Sequence, residues 1–179
     1  MRPSSLVLLV MVALLPGVEG HARPPPTTAP QVDLRRYLGT WYEIARLPLF
    51  FERRCQDVTA TYSPRPDGSL KVVNRCLRDG ADESLATGRA TVVEGSGNAR
   101  LKVSFFRPFS GDYWILHVDP DYRFALVGTP DRKNLWILAR EPHPPQADVQ
   151  RLERLAREQG YDLTRLELTS QRRRPTRAR

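Results

Sequence analysis

Residues 100–128 read RLKVSFFRPFSGDYWILHVDPDYRFALVG and contain three short runs of alternating apolar and polar residues separated by turns. Alternation with a period of two places one set of side chains on each face of a strand. About eight such runs occur between Gly39 and Arg140, with no helical pattern between them. Short strands at this spacing predict an antiparallel meander that closes as a barrel or a sandwich. A barrel of about eight strands is wide enough to hold one small ligand.

The two ends of the chain differ in composition from this central region. The apolar run Leu6–Leu15 and the small residues before His21 predict a secretory signal peptide over residues 1–20. The run is shorter than the roughly 20 residues that cross a bilayer, and no cysteine follows it. We therefore expect an exported protein, periplasmic or secreted and not lipid-anchored. The further divisions predicted are a Pro-rich disordered spacer (21–31), a barrel domain (32–170) and a basic disordered tail (171–179).

The chain has two cysteines, Cys55 and Cys76, on either side of the turn Ser63–Gly68. A hairpin folded at this turn brings them opposite or nearly opposite each other. Cross-strand Cα separations of about 4.5–5.5 Å suit a disulfide, and export permits one. The alternative is two small buried thiols; we predict the disulfide.

The formal net charge is +8, and five arginines without an acidic residue lie in the C-terminal tail. Nucleic-acid binding requires a basic face with aromatics or a known module, and neither is visible, so no nucleic-acid partner is expected. A solvated tail is predicted, with weak attraction to anionic membrane surfaces as the alternative. Before the tail, apolar residues at helical spacing predict a helix over Ala147–Gln159 that packs on the outer wall of the barrel.

Three stretches resemble the motifs of one known family. Gly39–Ala45 (GTWYEIA) resembles the Gly-x-Trp signature of lipocalins, and Leu135–Arg140 (LWILAR) resembles their third motif. Asp119–Val127 resembles the second motif, except that Pro120 stands where the family has threonine. The match is greatest to the bacterial and apolipoprotein D-like branch. The resemblance implies an all-β fold, an eight-stranded antiparallel up-and-down β-barrel with a C-terminal α-helix packed on the outside.

The resemblance also implies which end of the barrel is closed. In lipocalins Trp41 would lie at the closed end with Arg140 packed across its ring. Residues expected to form this closed-end structure are Gly39, Trp41, Asp121, Tyr122 and Arg140. Strand direction then places the loop Arg46–Arg54 over the open end.

The alternation, counted from Trp41, nominates the side chains that point inward. The residues expected to contact a ligand are Phe50, Phe51, Tyr62, Asn74, Phe105, Tyr113, Phe124 and Trp136. On the two strands that flank Pro120 the inward face is less easily assigned. Pairing across the turn groups Tyr113, Ile115 and His117 with Phe124 and Leu126, and this set is predicted to point inward. The alternative is an interior filled by side chains. Glu43 also falls on the inward face, and a buried carboxylate requires a partner that the sequence does not name.

The predicted interior is apolar, which suits an acyl chain. The cations Arg53, Arg54, Arg107 and Lys133 are expected around the open end, where they could hold an anionic headgroup. The sequence contains no metal-ligand spacing and no catalytic motif, so no catalytic residue, metal or cofactor is expected.

The function predicted is lipid binding: a monomer or dimer holds a fatty acid, lysophospholipid or similar small hydrophobic ligand for transport, storage or envelope maintenance. The alternative is a lipocalin-fold enzyme with Tyr62, Glu43 or His117 as acid or base.

Overall fold

The structure is a computed structural model that describes residues 23–49, 54–78 and 82–172. The predicted signal peptide, the ligand contacts Phe50 and Phe51, the cation Arg53 and most of the basic tail lie outside the described residues. Their roles, including the membrane contact of the tail, stay predictions.

The strands form one closed antiparallel sheet. The elements, in chain order, are α1 (Leu34–Tyr37), β1 (Gly39–Arg46), β2 (Cys55–Pro64), β3 (Leu70–Arg78), β4 (Asp82–Val92), β5 (Arg100–Phe106), β6 (Phe109–Val118), β7 (Phe124–Gly128), β8 (Leu135–Ala139), α2 (Gln146–Glu158) and β9 (Glu167–Leu168). Strands β2 to β8 pair in chain order, β8 pairs with β1, and β1 pairs with β2. This is the predicted eight-stranded up-and-down barrel.

Helix α2 packs outside the barrel, as predicted. Its residues Val149, Leu152 and Ala156 are buried in a cluster with side chains on the outer face of β7 and β8. A second apolar cluster, centred on Trp41, fills the closed end of the barrel. Strand β7 lies between the two clusters and is buried along its whole length.

The C-terminal segment completes the junction between β1 and β2. These strands pair only between Gly39–Tyr42 and residues 59–62, and β9 pairs with β1 above that point. The side-chain amide of Gln171 donates to the carbonyl oxygens of Glu43 (2.8 Å) and Val58 (3.0 Å), one on each strand. Gln171 is buried, so the disordered tail predicted from residue 171 does not begin there.

The Pro-rich segment predicted as a disordered spacer also contacts the barrel. The Ala29 N–H donates to the Ile115 carbonyl (2.9 Å), and the Val32 N–H donates to the Gly97 carbonyl (2.8 Å). Ala29 is buried against the closed end. Proline favours an extended backbone, and an extended backbone hydrogen-bonds to neighbouring strands and turns without forming a strand itself.

The predicted inward placement of Phe124 is wrong. Phe124 and Leu126 face α2, whereas Ala125 and Val127 face the interior. A register shift between Ile115 and His117 adds one residue to β6. A bulge of this kind reverses the alternation beyond it, which places His117 on the outer face.

The disulfide prediction is confirmed. Cys55 at the start of β2 is bonded to Cys76 of β3, with a Cα–Cα distance of 5.3 Å. Both residues are buried beside Val58 at the open end. The bond therefore fixes the point at which the chain returns from the segment between β1 and β2.

Within the described part of the chain, neither helix is long and apolar enough to cross a membrane.

Candidate functional site

The closed end is formed by an arginine stacked on a buried indole. The Arg140 guanidinium carbon lies 3.8 Å from the Trp41 ring centroid, and Trp41 is fully buried. The Arg140 N–H groups donate to five backbone carbonyls, those of Arg36, Tyr37, Leu38, Thr40 and Tyr122. One side chain therefore ties the turn of α1, the start of β1 and the β6–β7 turn together.

The other predicted closed-end residues lie around this contact. Gly39 has a φ of +89°, a conformation that glycine adopts at little cost, and an added Cβ would lie 3.5 Å from Arg140. The Tyr122 hydroxyl accepts from the Asp33 N–H (2.7 Å), which fixes the start of α1. Asp121 is exposed in the turn.

A cavity of about 490 Å³ occupies the barrel above the closed end. Five predicted ligand contacts, Tyr62, Asn74, Phe105, Tyr113 and Trp136, line it, and Phe124 does not. The remaining lining residues are Glu43, Leu49, Val58, Thr59, Ala60, Val72, Val103, Gly111, Asp112, Thr129, Pro130, Asp131, Asn134 and Leu138. The interior is therefore hollow and mainly apolar; that these residues contact a ligand stays a prediction.

The carboxylate of Glu43 is held by an ion pair inside the barrel wall. Arg46 Nη1 lies 2.9 Å from Glu43 Oε1, and both side chains are about 5% exposed or less. The Thr169 hydroxyl donates to the same carboxylate oxygen (2.5 Å). Residues three apart in a regular strand point to opposite faces, but a register shift between Glu43 and Ala45 puts Arg46 beside Glu43.

Three tyrosine hydroxyls meet at the closed end of the cavity. The Tyr62 hydroxyl donates to the Tyr113 oxygen (2.8 Å), and the Tyr37 and Tyr113 hydroxyls are 2.8 Å apart. Burial raises the pKa of Tyr62 to about 12 and raises the pKa values of Tyr37 and Tyr113 well above 10. All three side chains are therefore neutral at physiological pH.

Tyr37 is a residue of this site that sequence reasoning missed. It lies in the single turn of α1, where the alternation of strands places no side chain. The signal available was the spacing of four residues between Tyr37 and Trp41. In the structure the Trp41 indole N–H donates to the Tyr37 carbonyl (2.8 Å), and the two rings pack with centroids 4.9 Å apart.

The open end differs from the predicted ring of cations. Among the described residues, the lining there includes two carboxylates, Asp112 and Asp131, and does not include Arg54, Arg107 or Lys133. Asp112 pairs with Lys102 (2.7 Å), and Lys133 lies 3.7 Å from Asp131. Each of these two carboxylates therefore has a lysine beside it.

Two of the three residues named in the enzyme alternative, Glu43 and His117, lie on opposite sides of the barrel wall. Glu43 lines the cavity, whereas the His117 Nε2 atom faces α2, 3.4 Å from Arg151. Burial, and then the positive charge of Arg151, lowers the pKa of His117. The two side chains do not meet at one site. Among the described residues, no three His, Cys, Asp or Glu side chains are grouped as a metal site would require.

An antiparallel barrel with a closed end, an apolar cavity and a helix outside defines a class of small-ligand-binding proteins. A match to the lipocalin-like domain family covers residues 32–171, and the chain belongs to the lipocalin family.

Curated relatives cover nearly the whole chain. It is 41% identical over 168 residues to the outer membrane lipoprotein Blc of Escherichia coli K12, covering 92% of this chain and 95% of the relative. It is 33% identical over 180 residues to apolipoprotein D of Cavia porcellus, covering 93% of this chain and 94% of that relative. The solved structure of insecticyanin from the tobacco hornworm Manduca sexta superposes with a TM-score of 0.65 at 19% identity. The superposition covers 83% of this chain and 85% of insecticyanin. The last likeness concerns the fold alone.

The prediction of a chain that is not lipid-anchored is contradicted by these comparisons. The Escherichia coli relative and a relative from Vibrio cholerae, 38% identical over 90% of this chain, are both outer membrane lipoproteins by name. The prediction used only the lack of a cysteine behind the apolar run, in residues that lie outside the described part of the chain.

Proposed function

We propose that this protein binds a fatty acid, a lysophospholipid or a similar small hydrophobic molecule inside the barrel. The observation that carries the proposal is the apolar cavity of about 490 Å³ above the Trp41–Arg140 contact. Its size lies within the range of about 300–1,000 Å³ that is usual for small-ligand sites. Each methylene group moved from water into such a cavity contributes about 0.8 kcal/mol.

The relatives support lipid as the ligand class. One is named as an apolipoprotein and others as outer membrane lipoproteins. A barrel that surrounds an acyl chain removes it from water, which suits transport or storage of lipid and maintenance of the cell envelope. Since Glu43 and His117 do not share a site, binding without catalysis is the role we propose.

Trp136 provides the optical signal for a test. It lines the cavity and stacks on Tyr113 with ring centroids 6.4 Å apart, so a ligand in the cavity should change its fluorescence. Titration with fatty acids and lysophospholipids should quench or shift the emission of the wild-type protein. The change should disappear in Trp136→Phe and persist in Trp114→Phe, since Trp114 packs in the outer cluster.

Native mass spectrometry of the protein extracted from its own host gives an independent measurement. We expect a bound lipid that dissociates on activation. If no lipid is found and no member of the panel alters the fluorescence, the protein does not have this function.

A further inference from the structure

The closed end of the cavity carries a polar group that an all-hydrocarbon ligand would not use. The hydroxyls of Tyr37, Tyr62 and Tyr113 form a chain with Tyr113 in the middle, linked by two hydrogen bonds of 2.8 Å. Three hydroxyls carry three hydrogens, and two hydrogen bonds use only two of them. Among the described residues, no other protein group accepts a hydrogen bond from these hydroxyls.

The position of the third hydrogen depends on the bond between Tyr37 and Tyr113. If Tyr113 donates to Tyr37, the unused hydrogen is on Tyr37, which does not line the cavity. If Tyr37 donates instead, the Tyr113 oxygen accepts from both neighbours and its own hydrogen is available to the cavity that it lines. The two arrangements contain the same number of internal hydrogen bonds, so an acceptor in the cavity would favour the second.

The surroundings hold this donor in place. The Tyr113 ring stacks on Trp136, and the Tyr62 ring packs between Tyr113 and Tyr37, with centroids 6.1 and 5.5 Å away. A hydroxyl that accepts two hydrogen bonds is also a stronger donor, since bonds in a chain polarise one another.

The chemistry of the site favours an uncharged acceptor. The raised pKa values keep all three tyrosines protonated, so the group offers a hydrogen without a charge. The nearby cation, Arg140, lies against Trp41 with its N–H groups directed to backbone carbonyls. The described residues that line the cavity include no arginine or lysine, so a carboxylate at this depth would lose its hydration without a cation of the lining to pair with it.

We propose that Tyr113 donates a hydrogen bond to an uncharged oxygen at the buried end of the ligand. This inference rests on the lipid-binding function proposed above and names the ligand class more narrowly. The cavity would select lipids with a hydroxyl or carbonyl oxygen at the deep end over chains that end in a plain methyl group.

The test compares two ligands that differ by one oxygen, palmitic acid and its ω-hydroxylated counterpart, titrated against the full chain by Trp136 fluorescence. One buried hydrogen bond should favour the hydroxylated ligand by about tenfold in Kd. Moving the hydroxyl to the middle of the chain should abolish this preference, because the oxygen then lies away from Tyr113. This comparison uses only wild-type protein and does not depend on whether a variant folds.

Tyr113→Phe should reduce the ratio of the Kd values for palmitic acid and its ω-hydroxylated counterpart to near one, while palmitic acid still binds. The matched control is Tyr161→Phe, which removes a buried hydroxyl that donates to the Thr129 carbonyl (2.8 Å) in the outer cluster. This control should keep the full preference, whatever it does to stability.

The outcomes separate the two proposals. If the wild-type protein binds both ligands equally well, the third hydrogen is satisfied without the ligand, and the role of Tyr113 is overturned while lipid binding stands. The same conclusion follows if Tyr113→Phe weakens both ligands by the same factor. If neither ligand binds the wild-type protein, both proposals fail.

Discussion

Arg46 Nη1 lies 2.9 Å from Glu43 Oε1 inside the barrel wall, where both side chains are almost fully buried. The pair joins the cavity lining to the C-terminal segment, because Thr169 and Glu167 contact the same two side chains. A buried ion pair contributes little net stability when intact, but losing one partner leaves an uncompensated charge. The contact therefore connects the cavity lining to Glu167 and Thr169 of the C-terminal segment.

Glu43→Gln should destabilise the protein by about 1–3 kcal/mol, because it replaces the charge-assisted hydrogen bonds of a buried carboxylate with those of a neutral amide. Urea unfolding followed by far-UV circular dichroism measures the change. Glu167→Gln is the control, since the Glu167 side chain is 51% exposed and should contribute about 0–1 kcal/mol. Equal losses in the two variants would show that burial of the Glu43–Arg46 pair has no special energetic role.

Arg140→Lys should destabilise the closed end even though it keeps the charge. A lysine ammonium cannot reproduce the planar stacking on Trp41 or the donors to five backbone carbonyls. We expect a loss of about 2–4 kcal/mol in the free energy of unfolding, on the order of two or three lost hydrogen bonds to a charged group. Arg123→Lys, at a half-exposed arginine paired with Glu141, should change it by less than about 1 kcal/mol.

Gly88→Ala should disturb the cavity wall through a single added methyl group. A Cβ at this position would lie 2.8 Å from the Phe105 ring and 2.9 Å from the Ser104 carbonyl oxygen. The ring or the backbone must move, which costs about 1–3 kcal/mol. Because Phe105 lines the cavity, ligand affinity should fall as well.

Gly111 provides the matched control for this change. It also lines the cavity, and an added Cβ there meets nothing within 4 Å. Gly111→Ala should therefore leave the free energy of unfolding nearly unchanged. If both alanine variants behave alike, contact with Phe105 is not the cause of the Gly88 effect.

Where a strand is regular, the alternation in the sequence was sufficient to predict which side chains point into the barrel. Strand β8 has no register shift in its pairing with β7, so counting from Arg140 correctly placed Leu138 and Trp136 inside the barrel. The order of short strands and turns likewise predicted the antiparallel meander and the disulfide, because both depend on local spacing, whereas the closed eight-stranded barrel was predicted from the resemblance to lipocalins.

The errors have two physical sources. Bulges in β1 and β6 add one residue to the alternation, which brought Arg46 beside Glu43 and turned His117 and Phe124 outward. The alternation pattern also could not predict contacts made by segments in which apolar and polar residues do not alternate. Gln171 fills the junction between β1 and β2, and Tyr37 reaches the Tyr113 hydroxyl from the single turn of α1. These contacts are tertiary, so the alternation of the strands does not predict them.

Removal of the disulfide should lower stability without changing the fold. The bond closes a loop with a sequence separation of 21, for which the chain-entropy estimate is about 3 kcal/mol. The Cys55→Ser, Cys76→Ser double variant should lose this amount in urea unfolding and keep a native far-UV spectrum. Treatment of the wild-type protein with a reductant should produce the same loss, and no loss in either sample would mean that the cross-link does not restrict the unfolded chain.

Stability should fall at alkaline pH because of the buried tyrosines. In the folded protein the pKa of Tyr62 is raised to about 12, whereas an unfolded tyrosine titrates near 10. Between these values the folded state binds more protons than the unfolded state, so its free energy of unfolding decreases as the pH rises. The contribution is fully present below about pH 10 and lost through about pH 12, with a size of about 2–3 kcal/mol. Tyr62→Phe should flatten this part of the profile, and an identical slope in this variant would assign the alkaline loss to other groups.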